Sequence, residues 1–128
     1  MRLLVDTHVL IWLMVGSPKL TKGCIELLAD DGSELFFSVA SLWEVALKHD
    51  RKPEKIPVTA EQVERYCREC GIRQVPVRSD HALKTCELEK IHADPFDRML
   101  VAQATVEEMK LVSHDDDVIA YGDVVIAV

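Results

Sequence analysis

Short apolar runs alternate along the chain with stretches of helical period, and turn residues separate them. Apolar runs predict five strands, at residues 2–5, 35–37, 72–77, 111–113 and 124–128. Apolar positions spaced by three or four residues predict helices at residues 9–14, 21–29, 59–70, 79–89 and 95–109, with one more after Ser38 and a short one around Ile119. Strands that alternate with helices are typical of an α/β domain with a parallel sheet.

The helix that follows Ser38 combines an apolar stripe with a carboxylate. Ser38 is a good N-cap, and Ser41 is followed three residues later by Glu44, a spacing found in capping boxes. The apolar stripe of this helix, which we expect to face the core, consists of Val39, Leu42, Trp43, Ala46 and Leu47. Glu44 lies at the border of this stripe, so its charge is expected to be partly buried.

Length and composition indicate one domain that spans residues 1–128. The chain is 48% apolar, which is ordinary for a globular protein, and its apolar runs fall short of the roughly 20 residues that span a bilayer. We therefore expect a cytoplasmic protein with no membrane contact. Of its four cysteines, Cys67 and Cys70 form a C-x-x-C motif. Half a zinc site, a redox pair and two cysteines one helical turn apart all fit this spacing, and the last is favoured.

The balance of charge argues against a protein that holds nucleic acid by bulk electrostatics. The chain carries 22 acidic and 15 basic residues, and its formal net charge is −7. A nucleic-acid-binding domain usually carries the opposite sign. Binding of nucleic acid fits this charge only if some of the acids bind divalent cations, which would then present positive charge to a phosphate.

Several acids are placed where the strands of a parallel sheet end. Asp6 follows the first strand, Asp115 follows the strand at 111–113, and Glu44 lies on the helix that follows the second strand. Asp97 shares a helix face with apolar residues, one turn after the predicted cap Asp94 and its Pro95. Ligand crevices of α/β sheets lie outside the carboxyl ends of the strands, so these acids are expected to converge. Converging carboxylates favour Mg²⁺ or Mn²⁺.

Each acid also has a simpler interpretation. Asp6 would cap the helix that begins near Thr7, and Glu44 would pair with Lys48 one turn later on the same helix. The run from Asp115 to Asp117 would be a solvated turn. Taken one at a time, these interpretations are favoured for Glu44 and Asp115 and are about as good as the functional one for Asp6.

Four blocks of the sequence, in order, resemble the PIN-domain family and in particular the VapC toxins of bacterial toxin–antitoxin pairs. The blocks are LLVDTHVLIWLM, SVASLWEVALK, DPFDRMLVAQA and LVSHDDDVIAYG. The resemblance implies a three-layer, Rossmann-like α/β/α domain with a parallel sheet of about five strands. It also implies Mg²⁺-dependent endonucleolytic cleavage of RNA, with Mn²⁺ as the alternative ion, a cognate antitoxin as partner, and a homodimer.

The resemblance assigns the catalytic and metal-binding acids to Asp6, Glu44, Asp97 and Asp115. Asp6 and Asp97 are the main metal ligands, Glu44 completes the pocket and orients the attacking water, and Asp115 holds the metal or its waters from further out. Asp116 and Asp117 are alternatives to Asp115, which is chosen because it follows the strand most directly.

Further residues are expected to support this site. The hydrogen-bonding and acidic candidates are Thr7, Ser113, Asp94 and Asp117, and the candidates for contact with RNA phosphates are His8, Lys48 and Arg98. All five histidines are left out of catalysis, because a metal-bound hydroxide needs no histidine base. The alternative function is a catalytically inactive RNA-binding or protein-interaction module on the same fold, against which the four acids argue.

Overall fold

Five parallel strands form the centre of the molecule. In the computed structural model, which describes residues 1–128, the strands are β1 (Arg2–Val5), β2 (Glu34–Ser38), β3 (Arg73–Val75), β4 (Lys110–Ser113) and β5 (Val125–Ala127). All neighbours pair in parallel, in the order β3-β2-β1-β4-β5. The predicted α/β class and five-stranded sheet are confirmed. The strand order reverses at β1, which is where such sheets form their ligand crevice.

Helices cover both faces of the sheet. They are α1 (Thr7–Val15), α2 (Lys22–Ala29), α3 (Val39–Arg51), α4 (Ala60–Glu69), α5 (Ser79–Thr85), α6 (Pro95–Val106) and α7 (Asp116–Ile119). Side chains alternate between the two faces of a strand, so Leu3 and Val5 pack into one core with α1, α2 and α4, while Leu4 packs into the other with α6 and α7. None of the helices combines the length and the apolar character needed to cross a bilayer.

Local capping fixes where several helices begin. The Thr59 hydroxyl accepts from the Gln62 amide, and the Gln62 side chain accepts from the Thr59 amide, which completes a capping box at α4. Asp94 accepts from the Phe96 amide at 2.9 Å and Pro95 occupies the first position of α6, as the sequence predicts. Cys67 is buried within α4 and Cys70 ends that helix, which confirms the helical interpretation of this pair.

Several elements end elsewhere than predicted. α6 stops at Val106 instead of Met109, because Glu108 adopts a left-handed conformation with φ of 55°. α5 stops at Thr85, short of the predicted end near residue 89. β3 is shorter than the predicted strand and ends just before Pro76, which has no amide to donate to a neighbouring strand. The helix predicted after Ser38 is α3, which runs to Arg51.

The apolar stripe predicted for α3 is mostly wrong, because of its members only Leu42 packs against the core. Trp43 is 63% exposed and Leu47 is 43% exposed. The buried face instead consists of Ala40, Ser41, Glu44 and Val45. The rotation of the helix is fixed by polar contacts at its start, where the Ser38 hydroxyl caps the helix and the Thr7 hydroxyl donates to the Ser41 hydroxyl at 2.8 Å. Local hydrogen bonds therefore outweigh the apolar pattern and turn Glu44 inward.

Candidate metal centre

Three of the predicted acids are buried near the carboxyl end of the sheet. Asp6 directly follows β1, Glu44 lies in the second turn of α3, and Asp97 lies in the first turn of α6; they are 3%, 1% and 7% exposed. Asp115, which follows β4, is exposed. Carboxylates are seldom buried so fully unless they are paired or bind a metal.

Asp6 has one satisfied and one unsatisfied oxygen. The Ser113 hydroxyl donates to Asp6 Oδ2 at 2.5 Å, while Asp6 Oδ1 is buried without a hydrogen-bond partner. Asp6 occupies the N-cap position of α1 but accepts no capping hydrogen bond through its side chain, so the interpretation of Asp6 as a simple helix cap is wrong. Burial raises its pKa, and the charge of Glu44 raises it further.

Glu44, like Asp6, has one carboxylate oxygen with a partner and one without. Lys48 Nζ lies 2.5 Å from Glu44 Oε2, as the spacing on the helix predicts, and also donates to Asp94 Oδ2 at 3.2 Å. Glu44 Oε1 is buried without a partner. Pairing with Lys48 and a place in the acidic site are therefore compatible, because the lysine satisfies one oxygen and leaves the other open.

Asp97 is surrounded by like charge. Burial raises the pKa of Asp97 to about 7, and the charges of Asp6, Glu44 and Asp94 raise it in the same direction. A hydrogen bond from His92 opposes this shift, with Nε2 at 2.8 Å from Asp97 Oδ2. Asp97 therefore shares one electrostatic environment with the other buried acids, with few cations to balance them.

Asp115 belongs to a second, more exposed group. Ligand atoms of His92, Asp115 and Asp117 all lie within 4.8 Å of one another. Asp115 Oδ1 accepts from the Asp117 amide at 2.8 Å and so caps α7, and His92 Nε2 is 4.0 Å from Asp115 Oδ2. His92 thus lies between Asp97 and the exposed acids. The buried group is the better candidate for the metal, because it alone contains buried oxygens without partners.

The other expected site residues have varied positions. Ser113 donates to Asp6, whereas Thr7 donates to Ser41 and contacts no acid directly. His8 is exposed and packs edge-on against Trp12. Arg98 is occupied structurally, because its guanidinium donates to the Thr85 and Glu89 carbonyl oxygens and to the Tyr121 hydroxyl.

His92 is the site residue that sequence reasoning missed. The prediction that no histidine takes part in catalysis excludes it, yet it is the partner of Asp97. The available signal was its position two residues before Asp94 and five before Asp97, in the segment that leads into α6. Residues 92–94 belong to no helix or strand, so the periodicity of apolar residues does not predict that the imidazole reaches the carboxylate.

The chemistry of the buried acids fits a divalent cation, although only His92, Asp115 and Asp117 form a group of three with ligand atoms within 4.8 Å of one another. Asp6 Oδ1 and Glu44 Oε1 are buried and lack partners, and Asp97 adds a third carboxylate within the same field. Mg²⁺ and Mn²⁺ prefer hard oxygen ligands of this kind, and a bound cation would offset the repulsion that raises the pKa of Asp97.

Buried acids at the reversal point of a parallel α/β sheet define a class of acid-lined domains, and a family model identifies the family. The model of the PIN domain matches residues 3–124, so the chain belongs to the PIN-domain family. No curated protein sequence matches the chain.

Solved structures share the fold at low sequence identity. One is VapBC2 from Rickettsia felis, which is bound to a DNA fragment from its promoter. The similarity extends over 100% of this chain and 98% of that chain, with 15% identity and a TM-score of 0.69. The similarity to a chain of a toxin–antitoxin complex from Klebsiella pneumoniae extends over 97% of this chain and 95% of that chain, with 16% identity and a TM-score of 0.64. The similarity to a chain of VapBC-1 from nontypeable Haemophilus influenzae extends over 94% of this chain and 92% of that chain, with 17% identity and a TM-score of 0.63.

Proposed function

We propose that the protein is a metal-dependent endoribonuclease whose metal is held by Asp6, Glu44 and Asp97. The observation that carries the proposal is the pair of buried carboxylate oxygens without partners, Asp6 Oδ1 and Glu44 Oε1, beside a third buried acid. Such a pair is costly in a folded protein unless a ligand satisfies it. Membership of the PIN-domain family supports a nuclease rather than another acid-lined enzyme.

Several residues of the chain would hold the acids in place for the ion. Mg²⁺ or Mn²⁺, when bound, supplies charge neutralisation for a phosphodiester and lowers the pKa of water. Ser113 holds Asp6 in place through its hydroxyl, and Lys48 fixes Glu44, so both carboxylates keep one oxygen free for the ion. His92 orients Asp97, and Asp115 borders the site from the solvent side.

We further propose that the protein is a VapC-like toxin that is controlled by an antitoxin. The structural neighbours include chains of toxin–antitoxin and VapBC complexes. The helices α3 and α6, which carry Glu44 and Asp97, also line an apolar cavity of about 450 Å³ that includes Trp43, Phe96 and Met99 and suits an apolar segment of a protein partner. The homodimer implied by the resemblance stays a prediction, and light scattering would test it.

Cleavage of RNA by the purified protein tests the nuclease. A mixed RNA pool is incubated with Mg²⁺, with Mn²⁺ or with EDTA, and a DNA of matched sequence tests the need for the 2′-hydroxyl. We expect cleavage of RNA that requires the ion and is lost in Asp6→Asn. Asp31→Asn is the matched control, because Asp31 is exposed and lies in the turn before β2, at the opposite end of the parallel sheet from the acids.

The same experiment separates the two candidate functions. RNA that stays intact with every ion, together with no stabilisation of the protein by Mg²⁺ or Mn²⁺, would favour the inactive interaction module. The toxin role is tested separately by induced expression in a bacterial host. Arrest of growth by the wild type and not by Asp6→Asn supports it, whereas equal growth with an active nuclease argues against it.

A further inference from the structure

A basic cavity lies beside the acids at the end of α3. It has a volume of about 320 Å³, and its lining consists of His8, Lys48, Arg51, Lys52, Lys55 and Ile56. Four of these six side chains are lysine or arginine. We call this group of residues the basic cleft.

Three cations of the basic cleft have no acidic partner. Arg51, Lys52 and Lys55 are exposed and form no ion pair, although the chain has 22 acidic residues against 15 basic ones. Cations near the end of a helix also stabilise its dipole, which would account for Arg51. That effect fades beyond the last turn, so it does not account for Lys55, four residues after α3 ends.

The segment that carries these cations is held in a defined conformation. The Lys52 amide donates to the Lys48 carbonyl, and the Lys55 amide donates to the Lys52 carbonyl, both at 3.0 Å. His49 Nδ1 lies 2.7 Å from the Ile56 carbonyl oxygen, and the Ile56 side chain is buried in the core. The positive charges are therefore presented together on a fixed turn.

The basic cleft adjoins the acidic site. His8 lines both this cavity and a neighbouring one of about 210 Å³ that contains Asp6 and Asp115. Lys48 lines the cleft and also binds Glu44. A chain of phosphates that reached the acids would thus pass directly along unpaired cations.

We infer that the basic cleft binds the phosphodiester backbone of the RNA substrate next to the phosphate that is cut, an inference that rests on the proposed function. A molecule with net charge −7 repels RNA over most of its surface, so a local cluster of positive charge is needed to hold the strand. Arg51, Lys52 and Lys55 provide it without neutralising the acids. The contacts are to phosphates and carry no sequence preference.

Salt-dependent binding tests the inference. The probe is a fluorescein-labelled single-stranded RNA of mixed sequence, titrated with the full chain in EDTA so that it stays intact. The test variant is Arg51→Gln/Lys55→Gln, and the control is Lys22→Gln/Arg65→Gln, which makes the same charge change at exposed positions outside the cleft. Lys55→Gln alone, outside the helix, is the second variant if the change at Arg51 destabilises α3.

We expect the test variant to bind RNA roughly tenfold more weakly than the wild type near 0.1 M salt. The slope of log affinity against log salt should become less steep by about 1.4, because each lost phosphate contact on a single strand changes the slope by about 0.7. The control variant should bind almost like the wild type. Equal binding by both variants would overturn the inference, even if the RNA is cleaved with metal. Binding that follows the expected order without any cleavage would keep the assignment of the basic cleft to RNA phosphates and refute the nuclease.

A third outcome identifies a different occupant. An acidic peptide of poly-glutamate is titrated against the same proteins. If the test variant loses affinity for this peptide but binds RNA like the control, the basic cleft serves an acidic protein segment, and the inference is wrong.

Discussion

His92 positions Asp97 through a single hydrogen bond at 2.8 Å. We expect His92→Ala to lower metal affinity and cleavage by roughly 10- to 100-fold, the usual effect of removing a residue that orients a metal ligand. The backbone amide of His92 keeps its bond to Tyr121, so the segment should stay folded. Isothermal titration with Mn²⁺ and cleavage rates measure the effect. His92→Asn, which keeps a hydrogen-bond donor, should restore part of it, and an unchanged metal affinity in His92→Ala would contradict the role.

The ionised carboxylate of Asp97 lowers the free energy of unfolding of the metal-free protein. Because its pKa is raised to about 7, its ionised form is less stable in the folded state than in the unfolded state. We expect Asp97→Asn to raise the free energy of unfolding of the metal-free protein by about 1 kcal/mol above neutral pH, while it abolishes stabilisation by Mg²⁺. Urea unfolding with and without Mg²⁺ measures both effects. A less stable variant in EDTA would show that Asp97 contributes packing that outweighs its charge.

The identity of the buried acids follows from sequence, but their contacts do not. Asp6, Glu44 and Asp97 could be named because they lie just after strands or near an apolar helix face, and the family resemblance joined them. The free oxygen of Asp6 depends on Ser113, which is 107 residues away along the chain. Such a contact is set by the register of β1 against β4, and one sequence does not specify it.

At the level of the elements, the cap of α6 is part of the site. Asp94 caps the helix that carries Asp97 and also accepts from Lys48, the partner of Glu44. We expect Asp94→Ala to cost about 1 kcal/mol of stability and to slow cleavage as well. Thr59→Ala is the control, because Thr59 caps α4, which carries no acid of the site. Thermal unfolding and cleavage rates are compared. Equal cleavage by the two variants would show that Asp94 acts only as a cap.

The errors in the predicted elements have physical causes. The apolar pattern of α3 predicts that Trp43 faces the core, whereas caps and polar contacts turn Ser41 and Glu44 inward. The end of α6 was missed because Glu108, and not a glycine, takes the left-handed conformation that ends the helix. Both errors arise where local hydrogen bonding or tertiary context outweighs periodicity, and the first of them is at the site itself.

At the scale of the whole molecule, the order of the strands and helices places the acids and the basic cleft next to each other. β1 is central, so Asp6 lies in the middle of the sheet end, and α3 and α6 bring Glu44 and Asp97 to it. The basic cleft lies at the far end of α3. An overall negative chain can therefore hold a cation and a polyanion side by side, which the total charge alone would argue against.

This arrangement predicts how stability depends on pH. The pKa values of Asp6 and Asp97 are raised in the folded state, so the folded protein binds more protons than the unfolded chain between about pH 4 and pH 7. The metal-free protein should lose stability as the pH rises through this range. Asp80 acts in the opposite direction, because a hydrogen bond from Arg78 lowers its pKa, but its contribution is lost only below about pH 4.

Mg²⁺ should reverse the trend, since it binds the ionised acids and therefore stabilises the protein more as the pH rises. The measurement is the thermal midpoint between about pH 5 and pH 8, with Mg²⁺ and with EDTA, for the wild type and Asp97→Asn. We expect the difference between the two conditions to grow through pH 7 in the wild type and to stay small in the variant. A difference that is independent of pH would show that the ion binds outside the buried acids.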